Sequence, residues 1–461
     1  MALRIGFFGG AGKVTGSNFL IESARAKVLV DCGIEQGEDA CLPCMREAFP
    51  YDPKSIDALF VTHAHLDHVG RIPKLVADGF RGAIYLTPPT RDLTELILRD
   101  AAHILAERAR QENVPPLYGL PDVEAALSLM QPLAFHEERE AAPGLSGLLR
   151  TTGHILGSAS VRIKDEDGTS IAITGDIGNS PSPLLPDWEP IPDADAIVME
   201  SVYGDRLHPP RETRVAALRE GLSRALKKGG TVLMPAFSLE RTQLMLYELS
   251  NFFTAGELPE VLVFLDSPLA AKVTAVYEKW GGTYFKEAAE DEMRREGSVF
   301  EFPFLKKTLS HEESNAIEAV PGPKIIIAGA GMSHGGRIGK WEEKYLPDPK
   351  TTLFIVGYQA PGSPGRRLAE GTRSVRVNGV QVSVRASVEV LEGWSAHADR
   401  DGLLDFAQAC VPQPKMIFAA LGEPASERFL AQRLHDYLGA RASVAESGAT
   451  WEVTKQAVTR L

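Results

Sequence analysis

Residues 61–70 read Val61-Thr-His-Ala-His-Leu-Asp-His-Val-Gly70, which gathers His63, His65, Asp67 and His68 within six positions. The cluster follows the apolar run Ala58-Leu-Phe-Val61, so it sits where a strand-like segment ends. From an extended segment His63 and His65 can point the same way, while Asp67 and His68 turn toward a neighbouring position. Neutral imidazoles and carboxylates are the nitrogen and oxygen donors that zinc prefers. The spacing therefore suits two divalent cations held side by side. The plainer alternative is a polar turn with Asp67 capping a helix and the histidines incidental. It leaves four metal-competent side chains in one turn unexplained.

Ligands of one site usually come from several strand ends, and the chain supplies more of them. Thr152-Gly-His154-Ile-Leu-Gly-Ser158 sets a histidine among small residues that allow close backbone approach. Ile171-Ala-Ile-Thr-Gly-Asp176 is a short strand-like run that delivers a carboxylate at its end, and Val28-Leu-Val-Asp31 has the same form. Each of these alone is as compatible with a turn or helix cap. In this order, behind the histidine cluster, they are a strong signal.

The elements that carry these residues belong to a large chain. At 461 residues two domains are expected. With 44% hydrophobic and 24% charged residues, and 42 Gly and 31 Pro marking turns, the composition is that of a globular protein. No run of about 18 apolar residues occurs, so no membrane span is expected. The first residues lack a basic-then-apolar leader, which predicts a cytoplasmic protein. Four cysteines are too few for a disulfide framework. Cys41 and Cys44 form a C-x-x-C without a second ligand pair nearby and are read as reduced loop cysteines. A net charge of −12 argues against a generally basic nucleic-acid surface but not against a local basic groove. The glycine-rich start, Gly9-Gly-Ala-Gly-Lys13-Val14-Thr-Gly16, fails the phosphate-loop pattern because Val14 follows Lys13, and is read as a tight turn beneath the site.

With these blocks in place the chain resembles the metallo-β-lactamase superfamily, whose αββα sandwich places such ligands along one edge of two packed sheets. The resemblance implies His63, His65 and His154 on one zinc and Asp67 and His68 on the other. It also implies Asp176 bridging both and Asp31 behind them steadying the ligand loop. Pro235-Ala-Phe-Ser-Leu-Glu-Arg241, Phe264-Leu-Asp266-Ser, Ala328-Gly-Ala-Gly-Met-Ser-His-Gly-Gly336-Arg337 and Gly357-Tyr-Gln-Ala-Pro-Gly-Ser-Pro-Gly-Arg366-Arg367 look like the β-CASP nucleases within it. That likeness runs from about Gly9 past residue 450, nearest the RNA-processing members. It implies an α/β domain inserted into the sandwich: a first part over 1–205, the β-CASP domain over 206–369 and a C-terminal completion over 370–461, with the site in the cleft between domains. Strand-like runs at 230–234, 261–265, 324–328 and 352–356, separated by helix-like stretches, argue independently for a parallel sheet.

The family likeness also pairs Glu200, which ends the run Ala196-Ile-Val-Met-Glu200, with His397 of Gly393-Trp-Ser-Ala-His397. One ligand departs from the pattern. Where RNA-cleaving members carry histidine after a buried strand, this chain has Leu421, in Ala420-Leu421-Gly422-Glu423, and Artemis-type DNA nucleases have an aliphatic residue there. The second zinc is therefore expected to bind more weakly. The implied activity is cleavage of single-stranded RNA by metal-activated hydroxide. Asp67 and Asp176 serve the metals and the attacking oxygen, and Glu200 and His397 serve proton transfer. Arg241, Arg337, Arg366 and Arg367 are candidates for backbone phosphates. His334 is read as a solvent-facing loop residue. A DNA nuclease of the Artemis kind and a degenerate, non-catalytic nuclease-like subunit are the alternatives, and a homodimer is allowed.

Overall fold

The computed structural model describes residues 2–36, 42–333, 335–360 and 362–461, which form two compact units. The first is built from residues 1–207 and 397–461, the second from the continuous stretch 208–396.

Two sheets make the first unit. One runs, edge to edge, Val458–Arg460, Thr450–Val453, Leu3–Gly9, Asn18–Glu22, Lys27–Val30, Ala58–Phe60, Ala83–Leu86 and Met130–Pro132. The other runs Ala442–Val444, Met416–Ala420, Ala196–Glu200, Ser170–Ile173, Ala159–Asp165, Leu145–Thr151 and Arg139–Ala142. Side-chain alternation shows why the second sheet is covered on both faces. Ile171, Ile173, Val198 and Phe418 join Phe7, Phe19, Val28 and Phe60 of the first sheet in one core. Their neighbours Ala172, Ile197, Met199 and Ile417 face the opposite way, onto Leu403 and Phe406 of the helix Arg400–Ala409 and Leu430 and Leu434 of the helix Pro424–Leu438. Phe418 is fully buried, edge-on to Phe7 and Trp451 at centroid distances of 5.2 and 5.1 Å. Burying such a ring contributes about 1.5–3 kcal/mol. The αββα sandwich expected of the first unit is what the chain adopts.

The second unit holds a parallel sheet ordered Leu305–Lys307, Leu262–Asp266, Lys324–Ala328, Thr231–Pro235, Thr352–Val356 and Ser387–Leu391. The four strand-like runs read from the sequence are all in it. Two short strands at its edges were not anticipated. Ser387–Leu391 pairs with Thr352–Val356, and its half-exposed residues give no apolar run to read. Residues 370–396 thereby stay with the inserted sheet.

Cys32 and Cys410 are buried free thiols. Cys44 is disulfide-bonded, where a reduced thiol was expected, and Cys41 lies outside the described residues. Among the described residues no helix is long and apolar enough to cross a membrane.

Candidate metal centre

The segment after Ala58–Phe60 leaves the sheet at Val61 and Thr62, carries His63 and His65, and enters the short helix Leu66–Val69 at its cap, His65. Asp67 lies in the first turn of that helix and His68 in its last. The helix can lie this close to the chain at Gly33 only because that residue has no side chain. A Cβ there would stand 1.5 Å from the Asp67 carbonyl oxygen.

Around this segment the expected residues converge. His63 Nε2 lies 3.0 Å from His65 Nδ1, and His154 Nε2 lies 3.2 Å from the same atom. Asp176 Oδ2 is 3.3 Å from both His63 Nε2 and His154 Nε2. Bonds of about 2.0–2.1 Å to a tetrahedral zinc imply donor separations of roughly 3.3–3.4 Å. Three imidazoles and a carboxylate thus mark the corners of a site of zinc's size. The other oxygen of Asp176 faces a second position: Oδ1 is 3.5 Å from His68 Nε2, which is itself 4.0 Å from Asp67 Oδ2. His68 Nε2 is buried and has no hydrogen-bond partner among the described residues. That orphaned nitrogen beside two carboxylates is the donor set of a cation, and the residues present fit one.

Asp31 sets the orientation of His68. Its buried carboxylate accepts from Thr62 N at 2.8 Å and Ser17 Oγ at 2.9 Å, and meets His68 Nδ1 at 2.7 Å. With Nδ1 held in this way, Nε2 is the nitrogen turned to Asp176. Glu200, fully buried at its strand end, accepts from Ile177 N at 2.5 Å and meets His397 Nδ1 at 3.1 Å. His397 Nδ1 is 3.9 Å from Asp176 Oδ2, so Asp176, Glu200 and His397 form a second convergent group beside the first.

Charge follows burial here. Burial, and then the neighbouring imidazoles, hold His63 well below the ordinary histidine range, so it is neutral with a lone pair to give. Burial lifts Asp67, and it lifts Asp176 to about 7 against the pull of His68 and His397. Burial opposes charge on His68 and His397, yet the carboxylates outweigh it. Asp176 and Asp31 raise His68 to about 10, and Glu200 and Asp176 raise His397 to about 9. Desolvated carboxylates of this kind are relieved by a cation set among them.

Leu421 occupies the turn after Met416–Ala420 with a left-handed backbone, φ +51°, and packs into the sandwich core over Gly10. The four arginines all lie in the second unit. Arg241 is buried at the start of the helix Arg241–Thr254. Arg337 is bound to Asp266 at 2.6 Å and to the Thr308 carbonyl at 3.1 Å. Arg366 and Arg367 are exposed on the helix Pro364–Ala369, with Arg366 paired to Glu370. His334 lies outside the described residues, and His435 is exposed on the helix Pro424–Leu438. Sequence reasoning missed Ser17 and Thr62, which hold Asp31. A hydroxyl residue placed directly before His63 was the available signal.

An αββα sandwich with this donor set along one edge defines a metal-dependent hydrolase. Residues 11–228 match the metallo-beta-lactamase superfamily, 242–368 the Beta-Casp domain and 381–445 the Zn-dependent metallo-hydrolase RNA specificity domain. The chain is similar to ribonuclease TTHA0252 of Thermus thermophilus, 38% identical over 90% of this chain and 92% of that one. It is 32% identical to an RNase J-like protein of Methanocaldococcus jannaschii over 90% and 92% of the two chains. To the transcription termination factor FttA of Methanosarcina mazei it is 31% identical over 91% of this chain and 67% of that protein. A crystal structure of a protein of unknown function from Enterococcus faecalis shares the fold, with a TM-score of 0.55 at 12% identity over 98% of this chain and 99% of the other. The chain belongs to the β-CASP ribonucleases of the metallo-β-lactamase superfamily.

Proposed function

We propose that this protein is a two-zinc phosphodiesterase that cuts single-stranded RNA. His63, His65 and His154 would hold one ion and Asp67 and His68 the other, with Asp176 offering an oxygen toward each set. One observation carries the reading: Asp176 turns one carboxylate oxygen to His63 and His154 and the other to His68. The match to an RNA specificity domain and the similarity to a ribonuclease support RNA as the substrate.

When bound, the cations supply Lewis acidity at the phosphate and a water acidic enough to attack near neutral pH. The chain's own groups orient the reactants and move the proton. Asp176 orients the attacking oxygen, and Asp31 fixes His68 through Nδ1. Glu200 holds His397 at Nδ1, leaving Nε2 to give its proton to the departing oxygen. Arg366 and Arg367, being exposed, suit backbone phosphates. Arg337 is engaged by Asp266 and Arg241 is buried, which suits them to holding loops.

Leu421 favours a second reading, a DNA nuclease, because it supplies no lone pair where a histidine would. Matched RNA and DNA oligonucleotides, single-stranded and duplex, separate the two. Fastest cleavage of single-stranded RNA, abolished by chelation, is the expected result. Preferred cleavage of DNA would replace the RNA reading with the second one, and a metal-loaded protein that cuts neither would be a degenerate subunit.

A further inference from the structure

We propose that Glu427 is a positioning residue for the metal centre. Its buried carboxyl clasps the start of the helix Pro424–Leu438, which follows the turn after Met416–Ala420, to the glycine turn 9–16, and through that turn steadies the ligand helix Leu66–Val69. The proposal rests on the metal-centre reading above.

Glu427 lies in the first part of the helix Pro424–Leu438 and is fully buried. Its Oε1 accepts from the Gly12 amide at 2.9 Å, across 415 residues of chain, while its buried Oε2 has no hydrogen-bond partner among the described residues. Gly12 meets it with φ +70°, a left-handed conformation that glycine adopts without strain. Beside this clasp Leu421 N donates to Gly10 O at 2.6 Å, so the glycine turn is held to the C-terminal segment at two points.

The far end of the glycine turn leads to the site. Ser17 N donates to the Asp67 carbonyl at 2.9 Å, Gly33 N donates to the Ser17 carbonyl at 2.9 Å, and Ser17 Oγ donates to Asp31 Oδ2 at 2.9 Å. The tie therefore passes from Glu427 to the Gly12 amide, along the chain 12–17, and from Ser17 by hydrogen bonds to the backbone of one proposed ligand and to the acid that orients another. Because Leu421 offers no lone pair, a bound metal does not tie the C-terminal turn to the centre in this chain. The clasp, with the Leu421–Gly10 hydrogen bond beside it, supplies a polar tie instead. A buried carboxyl is costly unless its oxygens are paired, and an apolar side chain would serve packing alone better. An amide keeps an oxygen that can accept from Gly12, so glutamine should preserve the clasp.

The test uses the full chain and compares Glu427→Ala and Glu427→Gln with Glu342→Ala, a control that removes a buried glutamate from the second unit. Zinc affinity is read by competition titration, and kcat and KM on a single-stranded RNA oligonucleotide. Glu427→Ala should weaken zinc binding by about tenfold or more and lower kcat, as loss of groups behind metal ligands does. KM should stay within about twofold. Glu427→Gln should restore both, and Glu342→Ala should change neither. A folded Glu427→Ala variant with wild-type zinc affinity, or one matched by Glu342→Ala, overturns the proposal. Should Glu427→Ala fail to fold, amide exchange of the wild-type protein decides: the Gly12 amide should be protected beyond its neighbours, and fast exchange there refutes the clasp. Wild-type protein that binds no zinc would instead overturn the metal-centre reading itself.

Discussion

His65 is the residue at which the account is most exposed, because its Nδ1 lies within hydrogen-bonding distance of both His63 and His154. Three imidazoles this close can share one cation between their lone pairs. His65→Ala removes a donor without a substitute, so zinc content and RNA cleavage should fall together, and a folded, zinc-depleted variant with full activity would refute the mechanism. Glu200 and His397 form a different kind of unit. If Glu200 orients His397 through Nδ1, removing either costs nearly as much as removing both, as coupled groups do. A double-mutant cycle with additive losses would show two independent roles. Leu421 offers a gain-of-function test. Its left-handed backbone, φ +51°, is one that histidine adopts more readily than leucine. Leu421→His should therefore raise zinc stoichiometry toward two per chain at limiting metal. It also exchanges a core side chain for a polar one, so the melting temperature must be followed alongside. Two equal, tight zincs in the unmutated protein would contradict the weaker second site.

At the level of elements, the ligand blocks were legible because each brings chemically distinctive side chains to a strand end: His63 after Ala58–Phe60, Asp176 after Ser170–Ile173, Glu200 at the end of Ala196–Glu200. Strand type was legible in the inserted sheet for a related reason, since fully buried parallel strands such as Lys324–Ala328 read as unbroken apolar runs. What stayed hidden depends on tertiary approach. Ser17 and Glu427 carry no distinctive spacing, and Gly12 and Glu427 meet only because two sheets and a helix bring distant segments together. Ser387–Leu391 was missed because a half-exposed edge strand lacks an apolar run. The same partial burial makes edge strands poor signals in general. Arg337, read in sequence as a phosphate ligand, also meets Asp266 at the end of Leu262–Asp266, a partner that no local spacing announces.

For the molecule as a whole, buried acids give stability a pH dependence apart from catalysis. Burial raises Glu240 and Glu342 of the second unit from 4.5 to about 7. Folded protein then binds these protons more tightly than unfolded protein. Their contribution is fully present below about 4.5, falls as pH rises, and is gone above about 7. Glu342→Gln should accordingly flatten the loss of denaturation midpoint between about pH 5 and about pH 8. An unchanged slope would show that Glu342 is not the group responsible. The central claim is that the cluster around Asp176 holds the metals that cut RNA. Its most direct test is to strip the wild-type protein with a chelator and titrate zinc back while following bound metal and cleavage of single-stranded RNA together. The account predicts no cleavage by the stripped protein and its return with zinc, with one ion binding tightly and a second more weakly. Cleavage that survives complete metal removal, or a fully loaded protein that leaves RNA intact, would contradict it.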